Sequence, residues 1–162
     1  MRNKIIALAI IAFAATSVKA QDSKPTTLSV GVNIGIPTSP SSFYSLAYGA
    51  DLQADFAVAP TTKITASAGY QNFSVKSSIG SGNTGMIPLL GGVKFNLGEK
   101  AYGHAQLGYG FGTEKGSSGA FAYAPSIGYY FSSNFDASIK YLAFSKNSST
   151  LSSINLRVAY NF

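Results

Sequence analysis

The chain has 162 residues, carries 12 Lys and Arg against 6 Asp and Glu, and contains no cysteine. The missing cysteines exclude disulfides and a lipid anchor attached to an N-terminal cysteine. The formal net charge is +6, but no basic cluster follows the first twenty residues, which argues against nucleic acid as a partner. The length fits a single domain.

The first twenty residues have the pattern of a secretory signal peptide. Arg2 and Lys4 form a basic start, residues 5–15 form an apolar run, and the small residues Val18 and Ala20 end the segment. The apolar run is shorter than the roughly 20 residues that a helix needs to cross a bilayer, so a retained helical anchor is the weaker interpretation. We therefore predict cleavage after Ala20.

The predicted domain organisation is a cleaved signal peptide, residues 1–20, followed by one domain, residues 21–162. Cleavage removes three basic residues and leaves nine basic and six acidic ones, a net charge of +3. The sequence pI of about 9.5 is therefore partly a property of the signal segment.

From Pro25 onward, apolar and polar residues alternate with a period of two, which is typical of β-strands with two different faces. Clusters of Gly, Ser, Asn, Thr and Pro interrupt the alternation and divide it into eight predicted strands. These strands cover residues 27–36, 46–58, 63–75, 86–97, 101–112, 120–131, 135–144 and 151–162. Their lengths are close to the roughly 9–11 residues that a tilted strand needs to cross a bilayer.

The predicted connections alternate in length along the chain. APTT, GEK and SSN are short, whereas PTSPSSFYS, KSSIGSGNTG, TEKGSSG and SKNSST are longer. Transmembrane up-and-down barrels have short periplasmic turns and longer outer loops. We therefore predict an all-β fold, an eight-stranded antiparallel up-and-down transmembrane β-barrel, with both termini on the periplasmic side.

Side-chain volume indicates which face of the strands points outward. One face carries bulky residues throughout, including Val30, Val32, Ile34, Leu52, Phe56, Leu89, Val93, Phe121, Ile127 and Tyr129. The other face is small and polar, as in Ser29, Gly31, Asn33, Gln53, Thr65, Ser67 and Gly69. The interior of an eight-stranded barrel is only just wide enough for side chains to fill it, so the bulky face must point outward, into lipid. The alternative is a soluble lipocalin-like barrel with an apolar interior, which the volume and the charged inner face disfavour.

Aromatic residues on the outward face fall near the predicted strand ends. Those near the short turns are Phe56, Phe95, Phe131, Phe135, Tyr160 and Phe162, and those toward the longer loops are Tyr48, Tyr70, Tyr109, Phe111, Phe121, Tyr123 and Tyr141. Two such groups match the aromatic girdles of a transmembrane barrel at the two membrane interfaces.

The last seven residues, LRVAYNF, alternate and place Leu156, Val158, Tyr160 and Phe162 on one face. With the signal peptide and the eight alternating segments, this ending resembles the small outer-membrane barrels of the OmpA/OmpX-like group, above all the short outer-membrane β-barrel domain proteins common in Bacteroidetes. The resemblance implies a Gram-negative outer membrane. It also implies that these four residues form an assembly signal for the barrel-assembly machinery. It implies no particular activity.

Several charged residues lie on the inner face of the predicted strands: Asp51, Asp55, Lys94, His104, Asp136, Lys140 and Arg157. Because buried charges must be paired, they predict an internal polar network that plugs the barrel, with Arg157 and Asp55 as the first choices for paired members. The alternative interpretation is a path for protons or ions through the barrel.

The sequence offers little for catalysis or for a cofactor. His104 is the only histidine, lies near the short turn GEK, and has no sequence context that supplies a nucleophile and an orienting acid. A single histidine without cysteine also makes a poor metal site. The segment GYGFG, residues 108–112, lacks the helix that a phosphate-binding loop needs. We predict no enzymatic activity, no catalytic residue, no cofactor and no metal.

The loops are the remaining functional surface. They carry Lys76, Lys115 and Lys146, which suit anionic lipopolysaccharide, and Phe43 and Tyr44, which could anchor a partner or the membrane interface. We predict a monomer with outer-membrane lipid and lipopolysaccharide as partners and a structural, membrane-integrity or surface-interaction role. A narrow porin-like channel and a lipid A-modifying enzyme remain the two alternatives.

Overall fold

The structure, a computed structural model, describes residues 26–114 and 116–162. The predicted signal peptide and Lys115 lie outside the described residues. The strands are β1 (Thr26–Ser39), β2 (Tyr44–Ala59), β3 (Thr62–Val75), β4 (Asn83–Asn96), β5 (Ala101–Gly112), β6 (Ala120–Tyr130), β7 (Phe135–Lys146) and β8 (Ser149–Asn161). No helix within the described ranges is long and apolar enough to cross a membrane.

Each strand pairs antiparallel with its neighbours in the chain, and β8 pairs with β1 to close the sheet into a barrel. The predicted fold class is therefore confirmed. All eight predicted strands are present, and the largest differences in their bounds are three residues, at the end of β1 and at the start of β4. The alternating pattern thus located every strand because each one has two chemically different faces.

The connections differ more from prediction than the strands do. One end of the barrel, here called the turn end, holds residues 60–61, 97–100 and 131–134 and both ends of the barrel domain. The other, the loop end, holds residues 40–43, 76–82, 113–119 and 147–148. Only two of these four connections are long, so the expectation of four longer loops is wrong.

The shortest connection at the loop end is a two-residue hairpin. Asn147 and Ser148 both have positive φ, 47° and 65°, as the favoured hairpin turns require at their central positions. Asn tolerates this conformation better than most residues, because its short side chain can hydrogen-bond locally. The polar run SKNSST is therefore largely strand, with the turn confined to its two middle residues.

The bulky face points outward, as the volume argument requires. Val32, Ile34 and Ile36 of β1 and Ile127 and Phe131 near the end of β6 are all more than half exposed. Around the turn end, the rings of Phe135 and Tyr160 and those of Tyr160 and Phe162 meet edge to face, with centroids 5.1 and 5.0 Å apart. Around the loop end, outward aromatic pairs include Tyr109–Phe111, Phe121–Tyr123 and Tyr123–Tyr141. An apolar band with aromatic groups toward both ends is what a lipid bilayer accommodates.

The interior has two layers rather than one. Polar and charged side chains fill the middle and the half toward the turn end, whereas an apolar cluster fills the half toward the loop end. This cluster, here called the apolar plug, comprises Ala47, Phe73, Met86, Leu90, Ala120, Ala122, Ala124, Leu142 and Phe144, with Tyr44 and Leu151 packed against it. The expectation of a uniformly small and polar interior is therefore wrong toward the loop end.

The ring of Phe144 on β7 fits in the apolar plug because Gly110 on β5 has no side chain. A Cβ added at Gly110 would run into the ring of Phe144. Phe144 also meets Phe73 edge to face, with ring centroids 6.3 Å apart, and Phe73 meets Tyr44 at 5.7 Å. The middle glycine of GYGFG, Gly110, therefore makes room for a ring inside the barrel, which is a packing role.

Candidate functional site

The seven inner residues predicted to form a network all lie inside the barrel. They are no more than 9% exposed and come from five strands: Asp51 and Asp55 (β2), Lys94 (β4), His104 (β5), Asp136 and Lys140 (β7) and Arg157 (β8). Alternation places each of them on the inner face, and closure of the sheet brings strands together that are distant in the chain. The candidate site is this set of side chains with its neighbours, here called the interior network.

Asp51 and Arg157 form the centre of the interior network. The Arg157 Nη2 lies 2.6 Å from Asp51 Oδ1, and its Nε donates to both carboxylate oxygens at 2.9 and 3.0 Å. Asn33 Nδ2 donates to Asp51 Oδ2 at 2.9 Å, and Lys140 Nζ lies 3.4 Å from the same oxygen. One carboxylate thus joins residues from β1, β2, β7 and β8, and a guanidinium that donates through two nitrogens is among the stronger of such contacts.

A glycine makes this central pair possible. Gly31 lies on the inner face of β1, opposite Asp51 in the ladder. A Cβ at that position would be 2.6 Å from Arg157 Nε and 2.7 Å from its Cζ, well inside van der Waals contact. The guanidinium therefore lies directly against the backbone of β1, which only glycine allows at this distance.

Asp55 and Lys94 form a second ion pair. Lys94 Nζ lies 2.6 Å from Asp55 Oδ2, and Gln53 Nε2 donates to Asp55 Oδ1 at 2.7 Å. The ammonium also lies over the ring of Tyr102, 4.8 Å from its centroid, a cation–π contact. Asp55 and Arg157 are both paired, but with other partners than each other.

Asp136 links the periphery of the interior network to its centre. Tyr102 donates its hydroxyl to Asp136 Oδ1 at 2.6 Å, and Asn161 Nδ2 donates to Oδ2 at 2.9 Å. Arg157 Nη1 lies 3.8 Å from Asp136 Oδ1. The two ion pairs and this carboxylate therefore form one connected set, because Arg157 contacts Asp51 and Asp136, and Tyr102 contacts Asp136 and Lys94.

The formal charges of the interior network balance. Three aspartates face two lysines and one arginine, and each of these six residues takes part in an ion pair. Removing charges from water costs several kcal/mol each, so the arrangement is tolerable only because every charge has a close partner. The network can therefore fix the strands relative to one another, and the loss of any member leaves a buried charge without its partner.

His104 lies inside the barrel beside the interior network. Its Nε2 lies 2.8 Å from the hydroxyl oxygen of Thr65, and the imidazole is 5% exposed, inside the barrel. Its opposite residue in the ladder is Lys94. The imidazole is thus enclosed by the strands and in hydrogen-bond contact with a buried threonine. Within the described ranges there is also no group of three or more His, Cys, Asp or Glu residues that could hold a metal ion.

Several members of the interior network were not singled out from the sequence. Tyr102 is one example, although it shares the parity of His104 on β5 and the alternation could have indicated it. Ser29, Asn33, Gln53, Thr65 and Asn161 also bond directly to predicted members. Neutral polar residues give a weaker signal than charges because a charge on an inner face requires a close partner more strongly than a hydroxyl or amide does.

A small cavity lies between the interior network and the apolar plug. It has a volume of about 20 Å³ and is lined by polar residues such as Asp51, Gln71 and Lys140 and by Leu90 and Leu142 from the plug. This volume holds about one water molecule. Toward the loop end, Tyr44 and Thr84 bond through their hydroxyls at 2.9 Å, which ties β2 to β4 across β3.

The predicted assembly-signal residues lie on the outer face of β8 and at its end. Leu156, Val158 and Tyr160 are each between 40 and 45% exposed, and Phe162 is 73% exposed. Phe162 continues the ladder, since its N–H donates to the carbonyl of Leu28 at 2.8 Å. The terminal strand is therefore part of the barrel wall up to its last residue.

A closed sheet with an apolar outer band and a charged, paired interior defines a transmembrane β-barrel. Residues 5–162 match the outer membrane protein beta-barrel domain family, and the chain belongs to that family. It is an outer-membrane protein. No curated protein matches the chain significantly.

Solved outer-membrane barrels share this fold. Ail, the attachment invasion locus protein of Yersinia pestis, is 16% identical, with 85% of this chain and 97% of Ail covered and a TM-score of 0.61. The N-terminal barrel of Pseudomonas aeruginosa OprF is 13% identical, with 84% and 97% covered and a TM-score of 0.59. The outer-membrane enzyme PagL is 15% identical, with 81% and 97% covered and a TM-score of 0.59. These identities support a shared fold and leave function open, since one of the three is an enzyme.

Proposed function

We propose that the protein is a non-conducting, non-catalytic structural barrel of the outer membrane that presents its loops at the cell surface. The observation that carries this proposal is the filled interior. The interior network closes the middle and the turn end, the apolar plug closes the loop end, and the space between them is about 20 Å³. A barrel whose interior is filled by side chains spans the membrane without a water-filled channel.

The same observation disfavours the two alternatives. A porin-like channel needs a continuous aqueous path, and the rings of Phe73 and Phe144 lie across the barrel where that path would open. A lipid A-modifying enzyme needs reactive groups that lipid can reach, and His104 is enclosed and bonded to Thr65.

The orientation is part of the proposal, with the turn end and both termini in the periplasm. The two longest connections, residues 76–82 and 113–119, both lie at the loop end, and longer loops face outward in such barrels. Since the chain has no cysteine, single cysteines report topology cleanly. We expect Ser81→Cys to react with a membrane-impermeant maleimide on intact cells and Ser133→Cys to react only after lysis. The reverse pattern would refute the orientation.

A structural role predicts a permeability defect. A deletion strain is expected to become more sensitive to detergent and to large antibiotics, and the wild-type gene should restore resistance. Asp51→Ala should restore it less well, because its barrel is less stable than the wild type, whereas Ser133→Ala, at an exposed turn, should restore it fully. The mass spectrum of lipid A should be the same with and without the gene. Unchanged permeability or an altered lipid A mass would count against the proposal.

A second candidate function, surface contact, is favoured by the loops that follow β1 and β3. Phe43 and Ile79 are 52 and 51% exposed, and Lys76 donates its backbone N–H to the carbonyl of Phe43 at 2.8 Å. Apolar side chains beside a lysine suit an anionic partner with an apolar part. Ail has been solved in complex with the heparin analogue sucrose octasulfate, which makes a sulfated glycan the first probe to try.

The surface-contact function predicts salt-dependent binding of sucrose octasulfate. Lys76→Gln should weaken binding measured by calorimetry, because a cation near the ligand is lost, and added salt should weaken it further. Lys63→Gln removes the same charge from β3 near the turn end and should have no effect. Equal losses for both variants would mean that only overall charge matters, and no binding at all would remove this candidate.

A further inference from the structure

The pairing of β3 with β4 is interrupted in the middle of both strands. The ladder reaches Ala68 opposite Leu89 and resumes only after two skipped pairs, the first of which would join Gly69 to Pro88. Proline has no backbone N–H, so Pro88 cannot donate to the carbonyl of Gly69 opposite it. The ladder from β4 to β5 continues past the same proline. The interruption is therefore confined to the side of β3, where the Gly69 carbonyl has lost its donor in the ladder.

The cavity of about 20 Å³ between the interior network and the apolar plug lies at this interruption. Its lining includes Gly69 and Pro88 from the two interrupted strands and Asn33, Asp51 and Lys140 from the interior network. Gly69 brings no side chain into this space, and a Cβ there would lie 2.9 Å from the Cβ of Asp51. A cavity needs about 10–15 Å³ to hold a water molecule, so this one has room for a single water and for no larger ligand.

Three polar groups in the lining have unused hydrogen-bonding capacity. Asn33 Oδ1 is buried and accepts no hydrogen bond from the described residues, although Nδ2 of the same amide donates to Asp51. The ammonium of Lys140 has three protons and, among the described side chains, one acceptor, Asp51 Oδ2 at 3.4 Å. The third group is the carbonyl of Gly69. Two acceptors and one donor are what a water molecule can satisfy, since it donates twice and also accepts.

The charges around the cavity favour a neutral occupant. The ammonium of Lys140 repels a small cation, and the carboxylate of Asp51, which lines the same cavity, repels an anion. Leu90 and Leu142 of the apolar plug form another part of the lining and offer no partner to an ion. The occupant that fits is therefore a small neutral molecule that both donates and accepts hydrogen bonds.

We propose that the cavity binds one water molecule, which donates to Asn33 Oδ1 and to the Gly69 carbonyl and accepts from Lys140. This water connects the interior network to β3 where Pro88 interrupts the ladder. Because the network and the plug enclose it, it exchanges slowly with the solvent. The site depends on neither the orientation nor the function proposed above, since it is formed by interior side chains alone.

Water-selective NOE and ROE spectra of the isotope-labelled, refolded barrel in detergent micelles test this site. We expect dipolar cross-peaks from water to the Asn33 amide and to Gly69, with the ROE sign that distinguishes a bound water from proton exchange. Asn33→Leu removes an acceptor of the water and should abolish the cross-peak at Gly69. Asn161→Leu is the matched control, because Asn161 also donates from Nδ2 to an aspartate at 2.9 Å but does not line the cavity. That control should leave the cross-peak at Gly69 unchanged.

A high-resolution crystal structure of the wild-type barrel, grown in rubidium bromide, identifies the occupant independently of any variant. We expect one water peak in the cavity without anomalous signal. An anomalous peak would assign the cavity to an ion, and an empty cavity without water cross-peaks would show that it is dry. A Gly69 cross-peak that survives Asn33→Leu, or that both variants abolish, would contradict the proposed partners. The heat-dependent gel shift confirms that each variant is folded.

Discussion

Asp51→Ala is expected to lower the free energy of unfolding of the barrel by about 3–5 kcal/mol, the cost of leaving buried charges without a partner. The reason is the position of this carboxylate between two cations. Arg157 contacts it at 2.6 Å and Lys140 at 3.4 Å, and both cations are buried. Without Asp51, the interior network carries one net positive charge in a space that water can barely enter.

Reversible unfolding in urea, with the barrel in lipid vesicles, measures this loss directly. Ser67→Ala is the matched control, because it removes a neutral interior hydrogen bond, the one that Gln106 donates at 2.8 Å. That control should cost only about 1 kcal/mol. A loss for Asp51→Ala no larger than that of Ser67→Ala would mean that the interior network does not stabilise the barrel.

Lys94→Met is expected to be as damaging, at about 3–5 kcal/mol, and to be rescued by a second substitution. Alone, it leaves Asp55 buried without the ammonium that lies 2.6 Å away. In the double variant Lys94→Met and Asp55→Leu, both charges are gone and apolar groups of similar size take their place. Such replacements of a whole buried pair are often neutral or stabilising, so the double variant should recover most of the loss, except for the roughly 1–3 kcal/mol cost of leaving the Gln53 amide without its acceptor.

The double-mutant cycle separates pairing from packing. If the contribution of Lys94 is its charge, then Asp55→Leu alone should also be costly and the two losses should not add. Additive losses would show that the two side chains act independently, mainly by filling space. The cation–π contact of Lys94 with Tyr102 is lost in the Lys94→Met single variant and also in the double variant. Its loss therefore does not affect the difference in stability between these two proteins.

The sequence predicts the strands of this barrel better than the contacts among its interior side chains. The positions of the strands can be predicted because bulky and small residues alternate along each of them, as in Val30–Gly31–Val32 of β1. This alternation is a strong signal that needs only a few consecutive residues. It does not reveal which inner residues meet, because that depends on the stagger of the closed sheet. Arg157 and Asp51 are 106 positions apart in the chain. Only the registers of β8 on β1 and of β1 on β2 bring them together.

The apolar plug shows a second limit of the pattern. Alternation places Phe73 and Phe144 on the inner faces of their strands. The average side-chain volume, however, predicts that large residues lie on the outer face. Two rings fit inside because glycine at position 110 gives space to Phe144, a local compensation that composition does not show. The hairpin at Asn147 likewise depends on a backbone conformation that a polar, serine-rich segment does not reveal by itself.

Conductance of the refolded barrel in a planar bilayer shows whether water and ions can pass through it. We propose that the interior network and the apolar plug together leave no continuous aqueous path. A known porin in the same bilayers provides the positive control, and the heat-dependent gel shift confirms that the inserted protein is folded. We expect no unitary currents from the wild-type barrel. Reproducible unitary currents would contradict it.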